Sequence, residues 1–358
     1  MANQGAAWQV ALDNEVVSGP FLVENADGQT ADILVFDKQN IMHRINNQGL
    51  VLWSVPVSEL PLGSVETVDY YRNGQRQFIF NSAKFIYLFD SNGNRVEKYP
   101  IALKSEATAS LSIVDYDKDH NYRVLVPQSD GKVHNYMIDG SETKGWLLPA
   151  MPKAIRSKVQ YYRLEGADFL LISDLGGNIA FANRKGETRM QARLAFTPNP
   201  NTSFYQLNNR LITTDPGGRL VIVSSDGGVE KHLFREFSTS HYFMLIDVDL
   251  DGQSEFLFYD IGVLYVYNQD FTLKWTATIP NILPSTIQSS HGVLQDSTSL
   301  ILYDSERQVY LFGNGIGLFL PHDEFSASAN FLLIKPRQSE FIRFITVKGK
   351  VISNYLIN

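Results

Sequence analysis

The sequence contains no cysteine. That excludes disulfides, thiolate metal sites and cysteine nucleophiles, and it is compatible with either redox compartment. Nowhere is there the run of ~20 apolar residues that a membrane-spanning helix needs. No basic patch or stripe is visible. The formal net charge is −7 and the lysines and arginines are scattered, which argues against a nucleic-acid partner. Helix signals are scarce too: the nearest, Pro152-Lys-Ala-Ile-Arg-Ser157, is too short to be stable alone. The chain carries no His-Glu-x-x-His helix, no Gly-x-Ser-x-Gly elbow and no phosphate loop, and its seven histidines show no metal-ligand spacing. Gly313-Asn-Gly-Ile-Gly317 is followed by Leu318-Phe-Leu-Pro321 rather than by a helix, so it reads as a turn and not as a dinucleotide loop.

What is present is a repeat. A short apolar strand recurs eight times, as in Asp32-Ile-Leu-Val-Phe36, Gln77-Phe-Ile-Phe80 and Glu255-Phe-Leu-Phe258. With Leu34, Ile79, Leu125, Leu170, Leu211, Leu257, Ile301 and Ile342 as markers, the steps are 45, 46, 45, 41, 46, 44 and 41 residues. The second repeat shows the full unit. Val65–Tyr70, Gln77–Asn81, Phe85–Phe89 and Val96–Ile101 read as strands, separated by turns around Asn73-Gly74 and Asp90-Ser-Asn-Gly-Asn94. Four antiparallel strands in ~45 residues make the blade of a β-propeller. The last repeat has only three strands. Trp8–Leu12 is an orphan strand that resembles the fourth strands Trp53–Val57 and Trp275–Ile279. The reading is therefore all-β: an eight-bladed propeller of four-stranded antiparallel blades, closed by the N-terminal strand completing the last blade. Residues 1–358 read as one domain. The start Met1–Ala7 lacks the basic and apolar parts of a signal peptide, and a strand follows almost at once, so an origin in a longer protein is expected.

The fourth-strand cadence, in Asn47-Gln-Gly-Leu-Val-Leu-Trp53, Asp139–Trp146 and Asn268–Trp275, resembles the quinoprotein alcohol dehydrogenase-like propellers. That superfamily implies eight blades; its quinone enzymes use an adjacent-cysteine disulfide that this chain lacks. A second resemblance runs along nearly the whole chain. Trp8–Asp13, Asp90–Pro100, Asp115–Asp119, Asp247–Phe256 and Ser353–Tyr355 are similar to the C-terminal β-propeller region of large uncharacterised Bacteroidetes proteins. The resemblance implies a cell-envelope or periplasmic setting and no particular reaction.

Two kinds of site are candidates. Asp247, Asp249, Asp251 and Glu255, with Gly252 at the turn, place oxygen ligands at the spacing of a short Ca²⁺ loop. The competing reading is a solvated hairpin turn. Asp115-Tyr-Asp-Lys-Asp119 is a weaker copy. No other cofactor is indicated. The second candidate is the set of connections from one repeat to the next: Glu59–Gly63, Pro149–Arg156, Thr197–Asn201, Pro280–Pro284 and Pro321–Phe325. Loops on a rigid scaffold commonly carry function. Leu60, Leu62, Met151, Lys153, Ile155, Arg156 and Leu283 are expected to form a partner-binding rim, although each apolar one could instead tuck between blades. The expected function is a non-catalytic protein-interaction scaffold. The alternative is a carbohydrate-binding or carbohydrate-active propeller with an acidic channel mouth, where two carboxylates could flank a glycosidic bond.

Overall fold

A computed structural model describes residues 6–27, 30–155, 157–190, 196–248, 251–289, 300–306, 309–313, 318–319, 329–334 and 341–357. The described chain is all-β apart from one 3₁₀ turn, Pro284–Thr286. Its strands form eight antiparallel sheets. Sheet 1 is made of Val16–Glu24, Ala31–Asp37, Ile41–Ile45 and Val51–Pro56, paired in chain order. Sheets 2 to 7 follow at residues 66–102, 112–137, 160–182, 205–232, 242–278 and 288–319. Sheet 8 takes Phe331–Ile334, Ile342–Lys348 and Val351–Ile357, and its fourth strand is Trp8–Ala11 from the other end of the chain. Trp8 pairs with Asn354 and Ala11 with Val351.

Second strands carry apolar residues on both sides, as Leu34 and Val35 do in sheet 1, so one sheet cannot satisfy them alone. Eight clusters of buried side chains lie between sheets. Leu34 and Phe36 meet Phe78, Phe80 and Phe89 between sheets 1 and 2. Ile79 and Leu88 meet Val124 and Val126 between sheets 2 and 3. The series continues through sheets 3 and 4, 4 and 5, 5 and 6, and 6 and 7. Ile301 and Tyr303 meet Phe344 and Tyr355 between sheets 7 and 8. Ile345, Val347 and Ile352 of sheet 8 meet Ile33 and Val35 of sheet 1. Each fully buried Leu, Val or Phe contributes about 1.5–3 kcal/mol relative to exposure. The first strands lie innermost: Lys158, just ahead of sheet 4, reaches Glu66 at the start of sheet 2 at 3.1 Å, across sheet 3.

Neighbouring sheets are also latched at their turns. The Trp8 indole N–H donates to the Asn47 carbonyl (2.9 Å), and the Trp53 indole N–H donates to the Ser91 carbonyl (3.0 Å). Each ring lies on a turn glycine with positive φ, Gly49 or Gly93, whose added Cβ would meet the ring at 2.8–2.9 Å. The Ile101 side chain stands in the same relation to Gly140, and at Gly186 an added Cβ would meet the Leu148 main chain at 2.5 Å. Sheet 6 inverts the arrangement. The equivalent turn position holds Phe271, at φ +74°, and its own ring stacks on His232 with centroids 4.6 Å apart.

One sequence reading needs correction. Among the described residues, sheets 3 and 4 contain three strands, not four. In sheet 3 the chain turns at Gly145 (φ +73°), and the Trp146 indole N–H donates to the Val133 carbonyl that a fourth strand would have used. The period markers do not share one face: Leu170, Leu211 and Ile342 face the preceding sheet, whereas Leu34, Ile79, Leu125, Leu257 and Ile301 face the following one. A one-residue slip in a strand reverses every side chain, so apolar residues on both faces hid the true register.

The latch is tested by two alanine substitutions. Gly74 also has positive φ but has nothing within 4 Å of an added Cβ. Gly74→Ala should cost about 1–2 kcal/mol from backbone strain alone. Gly49→Ala should cost roughly 1–3 kcal/mol more, because the methyl displaces the Trp8 ring. Urea unfolding of both variants measures the difference.

Candidate functional site

In an antiparallel meander the first-to-second and third-to-fourth turns share one end. The second-to-third turns and the connections between sheets share the other. We call these the turn face and the loop face.

The Ca²⁺ candidate lies on the turn face. Asp249 is outside the described residues. Asp247 accepts the Gly252 N–H (3.0 Å), and Asp251 accepts the Gln253 N–H (2.7 Å). Glu255 is buried with both oxygens engaged: one accepts the Val248 N–H (2.8 Å), the other the Lys274 ammonium (2.9 Å). A cation binding there would have to displace Lys274. The same hydrogen bonds recur in the weaker copy and in a turn where no ion loop was read. Asp69 accepts the N–H groups of Asn73 and Gly74, and Asn73 that of Gln75. Asp115 accepts those of Asp119 and His120, and Asp119 that of Asn121. The recurrent Asp is thus a turn-forming acceptor, and this alone accounts for its presence at Asp247. In the weaker copy, Asp117 binds the Arg184 guanidinium (3.0 Å), which also holds Asp168 (2.6 Å).

Three clefts open on the same face. The largest of these three, about 520 Å³ between sheets 1 and 2, is lined by Asn25, Arg44, Trp53, Arg76, Phe78 and Asn92. Arg44 is committed to Asp32, Asn25 and the Ser91 carbonyl. A cleft of about 220 Å³ between sheets 3 and 4 includes Tyr116, Asp117, Trp146 and Arg184. The third, about 320 Å³, lies between sheets 5 and 6 beside Phe256 and Phe271.

The loop face carries most of the rim residues. Its connections are tied by main chain to neighbouring turns: Leu62 N–H to the Asn81 carbonyl (2.9 Å), Met151 N–H to Gly131 (2.7 Å), and Leu283 N–H to Tyr303 (3.1 Å). The Lys153 N–H donates to the Asp174 carboxylate (3.1 Å), and its side chain is exposed. Three carboxylates at this end, Asp37, Asp130 and Asp174, have pKa values held below the ordinary range. Burial opposes the shift, and hydrogen bonds from turn N–H groups and neighbouring side chains outweigh it. Leu62 and Leu283 are exposed. Leu60 and Met151 are half-buried against the inter-sheet clusters. Ile155 is a correction: it is 2% exposed, packed with Val159, Leu170 and Ile172 between sheets 3 and 4, and cannot belong to a rim. Arg156 and the 321–325 loop lie outside the described residues.

Two exposed residues were missed. Leu175 is 74% and Ile261 83% exposed, each at the tip of a second-to-third-strand turn. Ile261 has φ +46°, in a region that β-branched residues avoid. A signal was available: Asp174-Leu-Gly-Gly177 and Asp260-Ile-Gly262 set an apolar residue where such turns favour Asn, Asp or Gly. No group of three or more metal-ligating side chains occurs among the described residues, and no described helix is long and apolar enough to cross a membrane.

No family model and no curated protein matches the chain. Solved structures do. BamB from Moraxella catarrhalis, a β-propeller, superimposes with a TM-score of 0.63 over 100% of this chain and 98% of its own, at 13% identity. The computationally designed Ika8 protein gives 0.63 over 99% and 100%, at 9% identity. BBS1N, crystallised in complex with ARL6DN, gives 0.53 over 91% and 99%, at 12% identity. The fold is propeller-like. At these identities the likeness extends to fold alone.

The Glu255–Lys274 pair yields a double-mutant cycle. Glu255→Ala alone should cost about 3–5 kcal/mol, since it removes a buried carboxylate that accepts both the Val248 N–H and the Lys274 ammonium. Adding Lys274→Met should recover part of that loss. Thermal melts with Ca²⁺ and with chelator on the same variants show whether any ion response depends on these residues.

Proposed function

We propose that this chain is an eight-bladed, ring-closed propeller scaffold of the cell envelope that holds a protein partner on its loop face. Eight sheets with eight inter-sheet clusters support the ring, and so does the pairing of Trp8–Ala11 with the last sheet. The resemblance to Bacteroidetes envelope proteins supports the setting. The observation that carries the functional reading is the pair of apolar turn tips, Leu175 and Ile261, held in solvent on rigid turns. Ile261 keeps this position against a backbone penalty of about 1–2 kcal/mol. Folding gains nothing from an exposed isoleucine there, whereas a desolvating partner would. Leu62, Lys153 and Leu283 lie on the same face. BBS1N, in its complex with ARL6DN, is one structurally similar chain that binds a protein.

The carbohydrate reading is less well supported. Sugars stack on open aromatic faces, but Trp8 and Trp53 lie on neighbouring turns and Trp146 is folded onto its own sheet. The inner strands at the loop-face end are bridged by the Glu66–Lys158 ion pair.

Ile261→Asn combined with Leu175→Asn should leave thermal stability equal or higher, because asparagine tolerates the left-handed region. The double variant should lose, by at least about tenfold, the partners that the unaltered chain captures from envelope extracts. Capture that is identical for both proteins, or clean binding on a glycan array without protein capture, would overturn the proposal.

A further inference from the structure

Sheet 1 holds three polar side chains in a row that runs from its interior to its outer edge. Asp37 ends the second strand, His43 lies in the third and Ser54 in the fourth. Asp37 and His43 are buried, 1% and 8% exposed, whereas Ser54 is exposed. The Ser54 hydroxyl oxygen is 2.7 Å from His43 Nδ1, and Asp37 Oδ2 is 3.3 Å from His43 Nε2. A carboxylate can only accept, so the ring proton belongs on Nε2 and Nδ1 is left to accept the Ser54 hydrogen. Asp37 is itself fixed. Its Oδ1 accepts the Gln39 and Ile41 N–H groups (2.9 and 3.0 Å), and the Asn14 amide donates to its Oδ2 (3.0 Å).

Strand pairing accounts for the short contact. The Val57 N–H donates to the Asn40 carbonyl (2.9 Å). The alternation of an antiparallel ladder then makes His43 and Ser54 a non-hydrogen-bonded pair, the kind whose side chains lie closest. It also turns the Ser54 N–H outward, away from the third strand. The fold does not ask for this chemistry. At the same place in the third strand, the second residue pair from the hairpin turn, sheets 2, 4 and 5 carry Tyr87, Ala180 and Val221. Sheet 3 carries His134 there, and it binds Asp130 (2.9 Å). Among the described residues, however, sheet 3 has no fourth strand to bring that histidine a serine.

We propose that Ser54 is a nucleophile for acyl transfer from small carboxylic esters, with His43 as its general base. Asp37 is the positioning residue that fixes the ring and its tautomer. Such a serine–histidine–aspartate set is recognised by geometry and roles, not by order in the sequence. The Ser54 oxygen attacks the ester carbonyl carbon as its hydrogen passes to Nδ1, and the carbonyl electron pair moves onto oxygen. The outward Ser54 N–H is a donor for that oxyanion. As the carbonyl re-forms, the bond to the leaving oxygen breaks, and that oxygen takes the hydrogen from Nδ1. Water then attacks the acyl-serine by the same route and restores the Ser54 hydroxyl. Ester and water have become acid and alcohol. None of the three clefts includes Ser54, so its open strand suits a short acyl chain on a reactive leaving group.

The test uses the purified chain and needs no partner, so it stands apart from the scaffold reading. A fluorophosphonate probe followed by peptide mapping should label Ser54 ahead of the other serines. The unaltered chain should hydrolyse p-nitrophenyl acetate faster than Ser54→Ala does. His43→Gln should slow both reactions by about a hundredfold, and His134→Gln should change neither. Asp37→Asn reads the positioning role. The Gln39 and Ile41 N–H groups hold the new amide oxygen at the Oδ1 place, so its NH₂ faces His43 Nε2 and drives the ring proton to Nδ1. The Asn14 amide can flip to accept the other hydrogen. Nitrogen-15 NMR of the ring should show this change of tautomer, together with the loss of labelling. Three results would each overturn the proposal: no labelling at Ser54, equal hydrolysis by Ser54→Ala, or labelling that His43→Gln leaves intact. An unchanged tautomer in Asp37→Asn would remove Asp37 from it. Should His43→Gln fail to fold, Ser54→Ala, at an exposed position, and Asp37→Asn decide.

Discussion

The structure depends on one constraint: a sheet of this chain is apolar on both faces, so it is stable only between two others. Val35 of the second strand looks toward sheet 8, while Leu34 and Phe36 look toward sheet 2. A lone sheet would expose apolar and aromatic side chains to water on both sides. Folding and assembly of the sheets are therefore one process. The Trp8 and Trp53 rings add position to that general attraction, because each fits only where a turn has no side chain of its own. Hydrophobic contact holds the sheets together; the turn latch sets their rotation.

The strand pattern was legible because it is written in periodicity and turn chemistry. Asn73-Gly74 and Asp90–Asn94 announced their turns, and Trp8–Ala11 announced its place by likeness to Trp53–Val57. What escaped was the register, since residues apolar on both sides of a strand give no alternation to anchor it. The missing fourth strand of sheet 3 escaped as well. Trp146 looks like Trp53 in sequence, but it turns back onto its own sheet after Gly145.

The sites were less legible, for a different physical reason. An aspartate that accepts turn N–H groups and one that binds a cation use the same residue at the same spacing. Asp69, Asp115 and Asp247 show the first use throughout, and Glu255 is balanced by a lysine nineteen residues away, beyond the reach of any local motif. Ile155 went inward because the connection that carries it pairs with Asp174 and drops its side chain between sheets. Leu175 and Ile261 are the instructive omissions. Their signal was not an added motif but an apolar residue in a polar position.

Phe271 carries a consequence for the repeats as units. A sheet whose turn ends in glycine accepts a bulky side chain from the sheet before it; sheet 6 brings the bulk itself and needs a neighbour shaped to receive it, as His232 and Phe234 are. The repeats are alike in outline but not interchangeable. Duplicating, deleting or shuffling one would set knob against knob or hole against hole at this joint, so sheets 5 and 6 must be inherited as a pair.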